Sequence, residues 1–227
     1  RFVYGYQPIL TVTPDSLIRT YDGAVPLTSA TITGVLAGDL IADAWSGAPT
    51  VSGATSKNVG TYVLTAAAGS LVSELNYAFA YGVGSLRIDP KTLSGVLDAN
   101  DKTYDRSVAA TGSITLSGVL SGEDVSAAGT YAFADWNAGV GKSVTASGVA
   151  LSGADAGNYV LSPLASTQAD IFQKALTGAL AANDKTYDGT AAATGSVGLT
   201  GVIAGDAVSA SGVYAFGDKT TASGKTV

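Results

Sequence analysis

The sequence predicts an all-β protein of tandem small antiparallel β-sandwich modules, immunoglobulin-like in form, with β-grasp-like modules as the alternative. Three observations predict it: a motif returning at a fixed interval, a two-residue alternation of apolar with small or polar side chains, and closely spaced turn signals. Lys102-Thr103-Tyr104-Asp105 returns as Lys185-Thr186-Tyr187-Asp188, 83 residues on, and Arg19-Thr20-Tyr21-Asp22 stands 83 residues earlier. Self-similarity at a fixed period is the signature of a repeat array. The alternation is plain in Ser113-Ile114-Thr115-Leu116-Ser117 and Thr130-Tyr131-Ala132-Phe133-Ala134, as in strands with one face buried. Ser121-Gly122, Asp155-Ala156-Gly157-Asn158 and Ala204-Gly205-Asp206 interrupt such runs, about every 8 to 12 residues, the rhythm of a sandwich. Only Ser70 to Glu74 offers a helical stretch.

Aligning the copies gives boundaries. Leu86-Arg87-Ile88 corresponds to Ala169-Asp170-Ile171, and Lys91 and Leu93 to Lys174 and Leu176, as a closing strand, short hinge and opening strand would. Phe2-Val3-Tyr4-Gly5 resembles Phe79-Ala80-Tyr81-Gly82. Residues 1–12 are therefore expected to be the last strand of a preceding module, 13–88 one β module, 89–171 another, and 172–227 a truncated third.

The recurring residues suit turns and edges. In Thr-Tyr-Asp-Gly, Tyr closes a strand with its hydroxyl free for a partner, Asp bonds nearby amides, and Gly takes positive φ. The second copy has Arg106 where the others have Gly23 and Gly189, so it uses another turn type or carries mild strain there. Gly34-Val35-Leu36-Ala37-Gly38-Asp39 recurs as Gly118-Val119-Leu120-Ser121-Gly122 and Gly201-Val202-Ile203-Ala204-Gly205-Asp206, a loop tucked over a sandwich end. Tyr62 and Tyr159 both stand in the setting of a tyrosine corner. At most one is the corner, because Tyr159 aligns better with Tyr77.

Composition narrows the function. The 227 residues are 46% apolar with 29 Gly and 6 Pro, too hydrophobic for a disordered linker. A net charge of −6 without a cationic cluster argues against nucleic acid. No apolar run reaches the roughly 18 to 20 residues that span a bilayer, so no membrane insertion is expected. His and Cys are absent, which removes His-based triads and the usual zinc sites. No enzyme, cofactor or metal centre is expected. Gly141-Lys142-Ser143 and Gly224-Lys225-Thr226 fail as phosphate loops, since Trp136 and Lys219 occupy the required glycine positions. Asp98, Asn100, Asp101 and Asp105 could in principle bind calcium, though solvated turn acids are the plainer reading. Lys102 or Lys142 could form an internal crosslink only beside a buried acid. Trp45 and Trp136 fall in corresponding regions and are the candidate ligand-binding residues, against the plainer reading that they pack at a module's rim.

Residues 89–171, with Lys102-Thr103-Tyr104-Asp105, Gly139 to Val144 and Leu151 to Tyr159, resemble the YDG domain of bacterial surface proteins. Residues 13–88, with Asn58-Val59-Gly60-Thr61-Tyr62, Asn76-Tyr77 and Tyr81 to Leu86, resemble the related MBG ("mostly beta, glycine-rich") module. Arg106 departs from the signature. The resemblance implies a repeat stalk of a giant secreted adhesin, similar to filamentous haemagglutinin and exported by two-partner secretion, at the cell surface of a Gram-negative bacterium, with roles in attachment and biofilm. Neighbouring repeats of the same chain are then the partners of a monomeric fragment, and the work is to project and space. The alternative is a carbohydrate-binding module recognising an exopolysaccharide or host glycan.

Overall fold

The computed structural model describes Gly5 and residues 7–227. Phe2, Val3 and Tyr4, on which the expected strand of a preceding module partly rested, lie outside the described residues. The protein is nearly all β, 48% strand and 3% helix.

The first repeat supplies β1 (Ile9–Pro14), β2 (Leu17–Thr20), β3 (Ala30–Thr33), β4 (Trp45–Ser46), β5 (Thr50–Ser52), β6 (Gly60–Ala67), β7 (Val72–Ser73), β8 (Ala78–Tyr81) and β9 (Val83–Asp89). The second supplies β10 (Lys91–Ala99), β11 (Lys102–Thr103), β12 (Ala109–Ala110), β13 (Gly112–Ser117), β14 (Ser126–Phe133), β15 (Gly139–Ser152), β16 (Tyr159–Leu161) and β17 (Thr167–Phe172). The third supplies β18 (Thr177–Ala182), β19 (Ala192–Ala193), β20 (Gly195–Thr200) and β21 (Tyr214–Ala215). Among the described residues the one α-helix is the short Ile41–Ala44, while Ser70 to Glu74 holds β7.

The chain forms two compact units. One comprises Arg1–Val96, Ile114–Gly129 and Gly148–Ala165; the other comprises Leu97–Ser113, Thr130–Ser147 and Ser166–Val227. The second repeat is thus shared between them.

The first unit holds sheets ordered β3-β1-β8, β2-β9-β6-β5 and β13-β10-β16, with the small pair β4-β7. Residues 9–12, read from sequence as part of a preceding module, lie within β1, which takes its pairs from Ala30–Thr33 and Ala78–Tyr81. Alternation explains its place: Leu10 and Val12 point inward and are fully buried, while their neighbours face out. Leu10, Ala44 and Tyr77 form one core cluster. A second joins Tyr21, Leu64, Leu86 and Ile88 of the first repeat to Leu93 and Tyr159 of the second. Each fully buried Leu contributes about 2–3 kcal/mol, so the residues at this repeat boundary share one hydrophobic core.

The second unit holds the sheet β11-β17-β15-β14-β12 and the pairs β18-β20 and β19-β21. Its core is Phe133, Val144, Ala169 and Ile171, with Tyr104 and Tyr131 packed against it.

The sheets are rich in antiparallel pairs, yet in the first and second repeats the opening strands run parallel to the closing strands. Ile9 pairs with Ala78 and Leu17 with Leu86 in the first repeat. Lys91 pairs with Tyr159 and Lys102 with Ile171 in the second. Parallel neighbours need a long crossover, and here the body of each repeat is the crossover.

Candidate functional site

The repeated turn is organised by its lysine. Lys102 Nζ donates to Asp105 Oδ1 at 2.7 Å and to the carbonyls of Ser107 at 2.7 Å and Ala109 at 3.0 Å, and lies 5.6 Å from the Phe133 ring centroid. Lys185 repeats this on Asp188 at 2.8 Å, Thr190 at 2.9 Å and Ala192 at 2.8 Å, 5.9 Å from Phe216. Three directed donors on one ammonium suit such a hub. The aspartates also accept nearby amides, Ser107 N–H on Asp105 and Thr190 N–H on Asp188, each at 2.9 Å. The lysine first, and the amide after it, hold Asp105 below the usual carboxylate range and bring Asp188 to about 2. In the first repeat Arg19 pairs with Asp22.

This stitching leaves the tyrosine hydroxyl free, and the tyrosine reaches the next repeat. Tyr21, only 2% exposed, donates to Glu123 Oε1 across 102 residues of sequence. Tyr104 donates to Asp206 Oδ1 at 2.9 Å, again across 102 residues. Both acids end the glycine-flanked loop, so one repeat provides the donor and the next provides the acceptor.

The Glu123 site is the fuller of the two. Its side chain, 8% exposed, also accepts from the hydroxyl of Tyr159 and from Lys57 Nζ at 3.3 Å. The Tyr159 hydroxyl in turn accepts the Leu120 N–H at 3.1 Å. Tyr21 and Tyr159 meet edge to face with centroids 5.5 Å apart, a favourable aromatic geometry. Burial alone would raise the Glu123 carboxyl, but the hydroxyls of Tyr159 and Tyr21 and the Lys57 ammonium outweigh it and hold the group below its ordinary range. Burial, and then the bond to Glu123, push Tyr159 up to about 12 and raise Tyr21. The carboxylate stays ionised and the phenols stay protonated. Asn158, 6% exposed, adds a second tie by accepting the Val59 N–H at 3.0 Å and donating to Asn58 at 3.3 Å.

Within the first repeat, Tyr77 makes the loop contact that Tyr159 makes in the second. Its hydroxyl accepts the Leu36 N–H at 2.9 Å and donates to Asp39 at 2.5 Å. The tyrosine-corner bond belongs to Tyr62, whose hydroxyl reaches the Asn58 carbonyl at 2.8 Å.

Arg106 keeps the positive φ of its glycine counterparts, +60° against +78° at Gly23 and +75° at Gly189. Its guanidinium donates to the Ala204 carbonyl at 2.8 Å, and its Nε lies 3.6 Å from Asp206. At the second tyrosine–acid contact it takes the part that Lys57 has at the first, and these contacts offset the strain of a side chain at that φ.

Trp45 is half-buried against the Leu10, Ala44 and Tyr77 cluster, whereas Trp136 is 47% exposed, in a turn beside Asn137. Three of the four residues weighed for calcium turn to other partners. Asp105 faces Lys102, Asp101 accepts the Asp170 N–H at 2.6 Å, and Asn100 donates to Thr111 at 3.1 Å. Among the described residues, no three His, Cys, Asp or Glu side chains gather as metal ligands. Lys142 sits on Asp135, a half-exposed carboxylate that this ammonium first of all keeps ionised, so the pair is an ion pair.

Fold and contacts define a class: all-β repeats joined by a tyrosine of one copy and a carboxylate of the next. Family comparison places the members. Residues 10–87 match the MBG domain (YGX type) and residues 89–169 match the YDG domain. The chain therefore carries an MBG domain followed by a YDG domain. No curated protein matches it significantly.

Proposed function

We propose that the chain is a structural repeat region, a stalk or spacer of a secreted cell-surface adhesin of a Gram-negative bacterium involved in attachment or biofilm formation, and not an enzyme. One observation carries the reading: the same tyrosine-to-acid bond recurs at the same 102-residue separation. A contact renewed at every repeat transmits force and fixes the angle between successive copies, which is what a spacer must do. The MBG and YDG domains support the surface role. Among the described residues no helix is long and apolar enough to cross a membrane.

The test is solution scattering of wild type and a Tyr21→Phe/Tyr104→Phe variant. An elongated particle whose maximum dimension becomes broadly distributed in the variant supports a stiff spacer, and identical profiles count against it. One observation favours a second reading, carbohydrate binding: Trp136 presents an exposed ring beside Asn137. Saturable glycan-array binding lost in Trp136→Ala establishes that reading, and unaltered or absent binding dismisses it.

A further inference from the structure

Tyr21 and Tyr159 are both buried, 2% and 6% exposed, and their rings meet edge to face with centroids 5.5 Å apart. Their hydroxyls donate to the two oxygens of one carboxylate, Tyr21 to Oε1 and Tyr159 to Oε2 of Glu123. Two phenols tied to the two ends of one carboxyl group bring their hydroxyl edges together, and with them the ring carbons ortho to oxygen. Among the described residues this is the one carboxylate that accepts from two tyrosines, since Tyr77 and Tyr104 each donate to an acid of their own, Asp39 and Asp206.

A phenol loses an electron readily when its proton leaves at the same time, because the radical cation left otherwise is a strong acid. Each of these phenols has an ionised carboxylate in hydrogen-bond contact, already placed as the proton acceptor. Burial shields the neutral radicals that result from reductants in water. Packing holds the second ring beside the first, so their coupling takes place within one molecule at a high effective concentration. Lys57 Nζ lies 3.3 Å from Glu123 Oε1, and its side chain is 42% exposed. On that side the site meets water, and the carboxyl can pass on the protons it receives.

We propose that Tyr21 and Tyr159 form a site of oxidative crosslinking, at which a peroxide acting in one-electron steps joins the two rings by a carbon–carbon bond between ortho positions. One phenol gives an electron to the oxidant and its proton to Glu123, which releases the proton to water. The second phenol does the same. The two radicals combine at their ortho carbons; each of these carbons then gives up its hydrogen as a proton and each ring oxygen regains one, which restores both phenols. In sum, two C–H bonds break and one C–C bond forms. Two electrons and two protons pass to the oxidant, and hydrogen peroxide leaves as two molecules of water. The product ties the first repeat covalently to the second. The proposal rests on the chemistry of this pair and stands apart from the spacer role.

The test oxidises the whole 227-residue chain at low concentration with persulfate and photolysed ruthenium(II) tris-bipyridine, then maps the digest by mass spectrometry and dityrosine fluorescence. A fluorescent peptide pair containing Tyr21 and Tyr159, two hydrogens lighter than the sum of its parts, is expected. Tyr21→Phe and Tyr159→Phe should each abolish it. Glu123→Gln, with its circular dichroism matched to wild type, should slow its formation at least about tenfold. Absence of the pair from the oxidised wild type, a Tyr21–Tyr159 adduct without dityrosine fluorescence, or an unchanged rate in Glu123→Gln would each overturn the proposal. The decisive map is made on the wild type, so misfolding of a variant cannot mimic it.

Discussion

Replacing Glu123 by Gln keeps the shape of the side chain and removes its charge, leaving Tyr21, Tyr159 and Lys57 around a neutral amide. A hydrogen bond to a charged group contributes roughly 1.5–3 kcal/mol, against about 1 kcal/mol for a neutral one. Glu123 receives two such bonds from phenols in an enclosed site, while Lys57, 42% exposed, can turn to water. The amide oxygen retains one phenol and its NH2 faces the other, so two charged bonds become one neutral bond and one reversed or lost. The desolvation penalty of the carboxylate is recovered at the same time. The net loss is about 2 kcal/mol, or a midpoint lowered by roughly 4–8 °C for a unit of this size. Trp45 lies in the first compact unit and Trp136 in the second. Urea unfolding followed by Trp45 fluorescence in a Trp136→Phe background therefore reports on the affected unit alone. A double-mutant cycle with Tyr21→Phe should return a coupling of about 1 kcal/mol or more. A loss below about 0.5 kcal/mol, or additive single variants, would refute the claim that this carboxylate ties the two repeats.

Other expectations follow from the same contacts. Because Tyr159 titrates near 12 instead of its ordinary 10.0, the stability it confers is whole below pH 10 and disappears as pH rises from 10 to 12; Tyr159→Phe should flatten that part of a stability–pH curve. Glu123 is shifted downward, so its stabilisation is present above the ordinary carboxyl value of 4.5 and is lost as pH falls through the folded-state value; chemical denaturation between pH 7 and 3 should show a loss absent from Glu123→Gln. Arg106→Ala forfeits the Ala204 and Asp206 contacts while retaining a Cβ at positive φ, so it should destabilise by about 1–2 kcal/mol; Arg106→Gly removes the strain and should cost about 1 kcal/mol less than Arg106→Ala in thermal scans. Lys102→Met should cost about 2–3 kcal/mol, since it strips the Ser107 and Ala109 carbonyls and leaves Asp105 without its counter-ion, read as a lowered urea midpoint of the second unit.

What could be read from sequence was local chemistry. Period-two alternation places Ser113 to Ser117 and Thr130 to Phe133 in strands because each strand buries one face, a property written into consecutive positions, while Ala134 falls just past the end of β14. The turn roles of Asp105 and Gly189 were legible for the same reason, and so was the question posed by Arg106. Its answer was not, because the contacts that offset its backbone lie about a hundred residues away, at Ala204 and Asp206. Parallel pairing of Lys91 with Tyr159 was hidden likewise: no local pattern names a partner across a crossover. The acceptor role of Glu123 is hidden in sequence because its donors, Tyr21 and Tyr159, lie 102 and 36 residues away. Its position does carry a signal, since an acid follows the last glycine of the loop in all three copies, at Asp39, Glu123 and Asp206. The turn lysine has a sequence signal of the same kind, since Arg19, Lys102 and Lys185 open the motif in the three copies.

Donor and acceptor lie in different copies at a constant 102-residue offset, within a period of 83. Unequal recombination that deletes or inserts one whole period therefore places an equivalent tyrosine opposite an equivalent acid, and every joint is made anew. A deletion of any other length strands a phenol and a carboxylate together. The bonding scheme thus lets an evolving gene change the number of repeats freely while strongly disfavouring changes to their length.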